Sequence, residues 1–137
     1  MMTSANGWAA CTVTTIPFNF GNYDTLASFP LDTTGNINIT CDSNTPFIVR
    51  LDPGINSGSS FSPRRMQLPE GTWTLGYNLY WNTTRTEIWG DGTNNTFLKT
   101  GTGSGSATVL TVYGRIPPGQ RVPVGNYADT VTVIVEW

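Results

Sequence analysis

Side chains able to carry out catalysis or to hold a metal are scarce in this sequence of 137 residues. Histidine is absent, which removes Ser-His-Asp and Cys-His catalysis together with the most common metal ligand. A glycosidase needs two carboxylates at a defined separation, but here the carboxylates are spread singly and mostly stand at turn signals. They are Asp24, Asp32, Asp42, Asp52, Glu70, Glu87, Asp91, Asp129 and Glu136. We therefore predict a protein that is not an enzyme and that holds no metal and no cofactor.

The two cysteines, Cys11 and Cys41, are the remaining reactive side chains. A lone pair in a small, β-rich chain favours one disulfide, as in secreted proteins. This bond would close a loop of about 31 residues and stabilise the fold by roughly 3–4 kcal/mol. Two buried free thiols are the alternative.

Composition limits the partners and the fold class. Only 12% of the residues are charged, and the net charge is −2. The sequence has no run of basic residues of the kind that binds the phosphate backbone of a nucleic acid. No apolar stretch approaches the roughly 20 residues that a membrane span needs. With 15 Gly and 9 Pro the chain is poor material for helices, whereas 38% hydrophobic residues suffice for one core.

Hydrophobic alternation predicts strands. In Gly35–Cys41 the side chains of Ile37, Ile39 and Cys41 share one face, which indicates a half-buried strand. Trp73–Trp81 is the most aromatic run, and its stripe of Trp73, Leu75, Tyr77, Leu79 and Trp81 is interpreted as core. About seven or eight such segments, separated by turns and without a helical period, predict an all-β sandwich.

The last segment, Ala128–Trp137, places Val131, Val133, Val135 and Trp137 on one face. No segment after it in the sequence given could cover it, and an open edge strand is an aggregation liability unless it pairs with something. The domain is therefore expected to bind through this edge.

Several apolar residues stand in predicted loops, where they either contact a partner or fold back as lids over the core. They are Ile55, Phe61, Leu68, Phe97 and Leu98. The basic pair Arg64–Arg65 is interpreted as a solvated surface, with a carboxylate partner as the alternative. Gly90–Asn95 lacks the alternating acidic ligands of a calcium loop and is predicted to be a tight turn.

A set of ordered sequence blocks covers the chain from Cys11 to Trp137. The blocks are Cys11–Val13, Phe20–Tyr23, Gly35–Ile37 leading to Thr40–Cys41, Arg65–Met66, Tyr77–Tyr80, Arg85–Thr86 leading to Trp89–Gly92, Val112–Pro117, Gly119–Gln120 and Gly125–Val133. With these blocks the chain resembles the spore coat protein U domain family, which includes pilin subunits and tip adhesins of archaic chaperone–usher pili.

The resemblance implies an immunoglobulin-like sandwich that lacks one strand, with Cys11 and Cys41 as the family's disulfide. It implies export to the periplasm, where a chaperone lends a strand, and passage through an usher to the cell surface. A neighbouring subunit's N-terminal extension then replaces the lent strand by β-strand addition. The expected acceptor groove comprises Val13, Val131, Val133 and Val135, and the apolar loop residues named above become candidate contacts with abiotic or host surfaces, in attachment and biofilm formation.

The segment 1–10 is predicted to be an N-terminal lead or signal-peptide remnant, and 11–137 the pilin-like domain. Met2 and Trp8 could share a face, but Ser4 and Asn6 between them break the alternation expected of a donor strand. This favours a tip subunit over a shaft subunit. The alternative function is a free-standing secreted or spore-coat domain that recognises carbohydrate through exposed Trp side chains.

Overall fold

The computed structural model describes residues 2–3, 10–15 and 20–137, and these residues form nine β-strands without a helix. None of them therefore belongs to a helix that could span a membrane. The strands are β1 (Met2–Thr3), β2 (Cys11–Thr15), β3 (Leu31–Cys41), β4 (Pro46–Leu51), β5 (Arg64–Gln67), β6 (Thr74–Tyr80), β7 (Lys99–Thr102), β8 (Ala107–Ile116) and β9 (Val133–Glu136).

Two sheets pack against each other around one core. The four-stranded sheet has the order β1-β9-β4-β7, and the five-stranded sheet has the order β2-β3-β8-β6-β5. β1 runs parallel to β9, and every other pair of neighbours is antiparallel. The predicted all-β fold is confirmed.

The long strand β3 follows the predicted alternation. Ile37, Ile39 and Cys41 are buried in the core, while the residues between them are half-exposed. β3 begins earlier than the alternation indicated, because its pairing with β8 continues to Leu31 opposite Ile116. The less exposed positions of this extension include Thr33 and Gly35, so the sequence shows no apolar period there.

The aromatic segment differs from the prediction at its first residue. β6 is covered on both faces, with Leu75, Tyr77 and Leu79 buried in the core. Trp73 lies before the strand and is 51% exposed, so its interpretation as core is wrong. Trp81 lies just after β6 and is half-buried, with the ammonium of Lys99 4.5 Å from its ring centre.

The connections before β3, after β4, before β7 and between β8 and β9 emerge at one end of the sandwich, here called the loop end. β3 begins and β4 ends there, because residues 42–45 join these strands at the opposite end. β7 and β9 pair antiparallel with β4 and therefore begin at the loop end. β8 pairs antiparallel with β3 and ends there.

Candidate functional site

The edge strand β9 carries most of the predicted groove residues. Val135 is fully buried, whereas Val131 and Val133 are half-buried and pack against the core. On one side β9 pairs with β4, from Val133 opposite Leu51 to Glu136 opposite Ile48. Val131 precedes the strand rather than belonging to it. All three valines nevertheless contact the core, as the alternation predicted.

The other side of β9 meets the N-terminal segment. Met2 lies opposite Val135 and Thr3 opposite Glu136, in parallel register. The sequence predicts residues 1–10 to lie outside the core and gives no signal for this pairing. Trp8 lies outside the described residues.

Strand β2 forms the edge of the opposite sheet and carries the fourth groove residue, Val13, which packs against the same core. Cys11 opens β2 directly opposite Cys41 of β3, and the two sulfur atoms are bonded, with 4.0 Å between the Cα atoms. The predicted disulfide is confirmed. It fixes the start of β2 at the end of the sandwich opposite the loop end.

Exposed apolar side chains gather at the loop end. Ile55 follows β4 and is 71% exposed, while Phe97 and Leu98 precede β7 and are about two-fifths exposed. Three further exposed apolar side chains at this end were not singled out from the sequence: Leu26 and Phe29 before β3, and Val124 between β8 and β9. All of them stand in connections whose apolar content is visible in the sequence, but exposure there depends on the fold.

Two of the predicted loop contacts are not exposed. Phe61 is 8% exposed, and its ring lies 5.5 Å from the guanidinium carbon of Arg64. Leu68 is half-buried and packs against the core. Their segments fold back over the sandwich, so the prediction that Phe61 and Leu68 are surface contacts is wrong.

Arg64 is fully buried, and its interpretation as a solvated surface is also wrong. Its guanidinium donates to the backbone oxygens of Asp52 and Trp89, at 2.8 and 2.7 Å, and to Oδ1 of Asn78 at 3.0 Å. In the described part of the chain it makes no ion pair. Burial lowers the pKa of Arg64 to about 10, so the group remains a cation at neutral pH. It ties β5, β6 and two loops together from within.

Two carboxylates brace the loop that presents Ile55. Asp129 Oδ1 accepts the Ile55 N–H at 3.0 Å, and its Oδ2 accepts the Tyr77 hydroxyl. Asp52 Oδ1 accepts the N–H groups of Gly54 and Thr132, both at 2.9 Å. Burial and the bond to Asp129 both raise the pKa of the Tyr77 phenol. The segment entering β9 and the Ile55 loop are thus held as one unit.

The carboxylates of Asp32 and Asp91 make structural contacts. No group of three or more potential metal ligands occurs among the described residues. Asp32 is bonded by both Arg115 Nε and Nη2, and this contact lowers the pKa of Asp32. Asp91 accepts the N–H of Thr93 and so stabilises the backbone of its own turn at 90–95, as predicted.

Sequence comparison identifies relatives of the chain. The sequence profile described as Spore Coat Protein U domain matches residues 1–134. A Myxococcus xanthus protein called "Protein U" is 33% identical over 130 residues, a match that covers 87% of this chain and 70% of the relative.

A solved structure shows the same fold. A chain in the CsuC–CsuE chaperone–tip adhesion subunit pre-assembly complex, from the archaic chaperone-usher Csu pili of Acinetobacter baumannii, superposes with a TM-score of 0.69 at 24% identity. The match covers 94% of this chain and 40% of that one. The E. coli Hda pilus minor tip subunit, HdaB, has a TM-score of 0.47 at 14% identity and is covered over 79% of its length. The first likeness confirms the immunoglobulin-like sandwich.

Proposed function

Because the chain belongs to the spore coat protein U domain family, we propose that it is a structural and adhesive subunit of an archaic chaperone–usher pilus. It assembles by donor-strand complementation and serves surface attachment and biofilm formation. The observation that carries this proposal is the edge of β9, where Val135 belongs to the core and Val131 and Val133 pack against it, while the described residues of β1 pair with the strand's outer side at Val135 and Glu136.

The edge of β9 and the edge strand β2 of the opposite sheet supply the mechanism. A donated strand forms main-chain hydrogen bonds with β9 and places alternate side chains between the sheets. There they contact Val13, Val131, Val133 and Val135, of which all but Val135 are still half-exposed. Met2 and Thr3 occupy part of this edge and give way to the incoming strand.

The partners follow from this mechanism. A periplasmic chaperone lends the first strand, an usher exports the subunit, and a neighbouring subunit supplies the final strand. The Cys11–Cys41 disulfide suits an oxidising compartment such as the periplasm. The subunit then resides on the cell surface within the pilus.

The loop end provides the adhesive surface. Ile55, Phe97 and Leu98 remain as contact residues, joined by Leu26, Phe29 and Val124. Contact with an apolar surface, whether abiotic or on a host, removes these exposed apolar side chains from water and so lowers the free energy of the bound state. The brace by Asp52 and Asp129 reduces the entropy that the Ile55 loop loses on contact.

Periplasmic expression with and without the cognate chaperone tests the assembly pathway. We expect the chain to be recovered as a complex with the chaperone, and as oligomers or degraded protein without it. The variant Val133→Asp should reduce capture, because it places a charge in the groove. Equal yields of a stable monomer with and without the chaperone would favour the free-standing secreted domain instead.

Adhesion of pili to plastic tests the loop end. The double variant Ile55→Asp, Leu98→Asp should abolish most adhesion, because both side chains are exposed and their apolar contact is lost. Val109→Asp is the matched control, since Val109 is 58% exposed but lies near the start of β8, away from the loop end. Unchanged adhesion in the double variant, with a normal melting temperature, would remove these residues from the adhesive surface.

A further inference from the structure

The outer face of β5 and β6 contains a cleft with a volume of about 330 Å³. This volume is at the lower end of the range of small-ligand sites, roughly 300–1,000 Å³. Its lining includes Ser62, Arg65, Gly76, Asn78, Tyr80 and Gln120. Among the described residues β5 is the last strand of its sheet, and Ala128 pairs with Gln67 at the end of its free edge.

Gly76 and Gln120 give the cleft its shape. The Gly76 N–H donates to Gln120 Oε1 at 2.8 Å, and Gln120 Nε2 donates to the Gly76 oxygen at 2.7 Å. A Cβ atom at position 76 would lie 3.2 Å from Gln120 Oε1 and 3.6 Å from Pro63 Cβ. The absence of a side chain at Gly76 therefore leaves a hollow between two fixed walls, and the site is formed before any ligand arrives.

Two arginine side chains lie next to this hollow, Arg65 in its lining and Arg64 beneath Asn78. In the described part of the chain, Arg65 has no carboxylate at ion-pair distance, and its Nη1 makes only a long contact, 3.5 Å, with Thr74 Oγ1. Beneath the floor, the buried Arg64 donates to Oδ1 of Asn78. Burial raises the pKa of Tyr80, the cations Arg115, Arg64 and Arg85 act in the opposite sense, and the carboxylate of Asp32 acts in the same sense as burial. An anion in the cleft would gain from Arg64 below and from Arg65 at the rim.

We propose that this cleft binds a carboxylate-bearing sugar unit of an acidic polysaccharide. Arg65 forms the bidentate contact that suits a planar carboxylate. The half-buried ring of Tyr80 offers an apolar face to the sugar, and Ser62 offers a hydroxyl. A nucleic acid is disfavoured, because the chain has net charge −2 and no basic run.

This site is separate from the proposed pilus function. It lies on the five-stranded sheet, whereas the edge that accepts a strand belongs to β9 of the four-stranded sheet. Loss of one therefore does not imply loss of the other.

Titration of the full chain with trigalacturonate, and with its fully methyl-esterified form, tests the proposal. We expect saturable binding of the acid, weakened by salt, and at least about tenfold weaker binding of the ester, which has the same rings without the charge. Arg65→Gln should lower the affinity for the acid about tenfold or more. Tyr80→Ala should also weaken binding, whereas Tyr80→Phe keeps the ring and stays close to wild type.

Arg121→Gln is the matched control, because Arg121 is exposed and the substitution changes the net charge by the same amount. It should leave the affinity within about twofold of wild type. Melting curves establish that each variant is folded. The proposal is overturned if the acid shows no saturable binding, if the ester binds equally well, or if Arg121→Gln loses as much affinity as Arg65→Gln.

Discussion

Asp129 is the residue at which the segment entering β9 meets the loop that presents Ile55. Its carboxylate accepts the Ile55 N–H, the Asn56 side-chain N–H and the Tyr77 hydroxyl. A carboxylate that accepts several donors in a partly buried place stabilises each of them more than a neutral acceptor would. Asp129 therefore positions both the loop and the start of the edge strand.

The variant Asp129→Ala should lower the free energy of unfolding by about 1–3 kcal/mol, because the buried Tyr77 hydroxyl loses its acceptor. It should also increase hydrogen exchange at the Ile55 amide, which loses its carboxylate partner. Urea denaturation and hydrogen-exchange NMR measure the two effects.

Asp24→Ala provides the control for this prediction. Asp24 accepts the Leu26 N–H inside its own exposed turn, so the free energy of unfolding should change by no more than about 0.5 kcal/mol. The positioning role of Asp129 fails if the exchange rate at Ile55 is the same in wild type and in Asp129→Ala.

At the scale of elements, the disulfide holds β2 against β3. β2 is the outermost strand of its sheet and pairs with β3 from Cys11 opposite Cys41 to Thr15 opposite Ile37. Val13, in the middle of this short strand, is one wall of the proposed groove. The disulfide therefore positions Val13 for the proposed groove as well as stabilising the fold.

Replacing both cysteines by alanine should lower the free energy of unfolding by about 3 kcal/mol, because the unfolded chain regains the conformational entropy that the disulfide removes from it. Denaturation in urea measures the loss, and reduction of the wild type should reproduce it. A double variant as stable as the oxidised wild type would contradict this account of β2.

The elements also show what the sequence could and could not predict. Alternation identified β3, the core stripe Leu75, Tyr77 and Leu79, and the inward valines of β9, because one buried face imposes a period of two. It did not identify the pairing of Met2 and Thr3 with β9, which depends on an edge built by distant residues.

The burial of loop residues is not predictable from local sequence patterns. Phe61 and Ile55 stand in the same turn-rich segment, yet Phe61 is buried and Ile55 is exposed. The burial of Arg64 is not predictable from the sequence, because a buried cation is rare and only tertiary contacts with several backbone oxygens and Asn78 make its burial tolerable. Such contacts join positions far apart in the sequence and leave no local pattern.

At the scale of the whole molecule, the proposed activities occupy different parts of the sandwich. Strand acceptance lies at the edge of β9, adhesion at the loop end, and the proposed sugar cleft on the outer face of β5 and β6. The two sheets share one core, so a strand added at β9 would stabilise the whole domain while leaving the other two surfaces accessible.

The most direct test of the central claim is the stability gained from an added strand. A flexible linker followed by an alternating valine–threonine strand, appended after Trp137, should raise the free energy of unfolding by at least about 3 kcal/mol, because its valines fill the groove. The matched control carries serine in place of those valines. Equal stability of the two fusions in urea denaturation would contradict strand acceptance at β9, whereas a gain confined to the valine fusion is the result we predict.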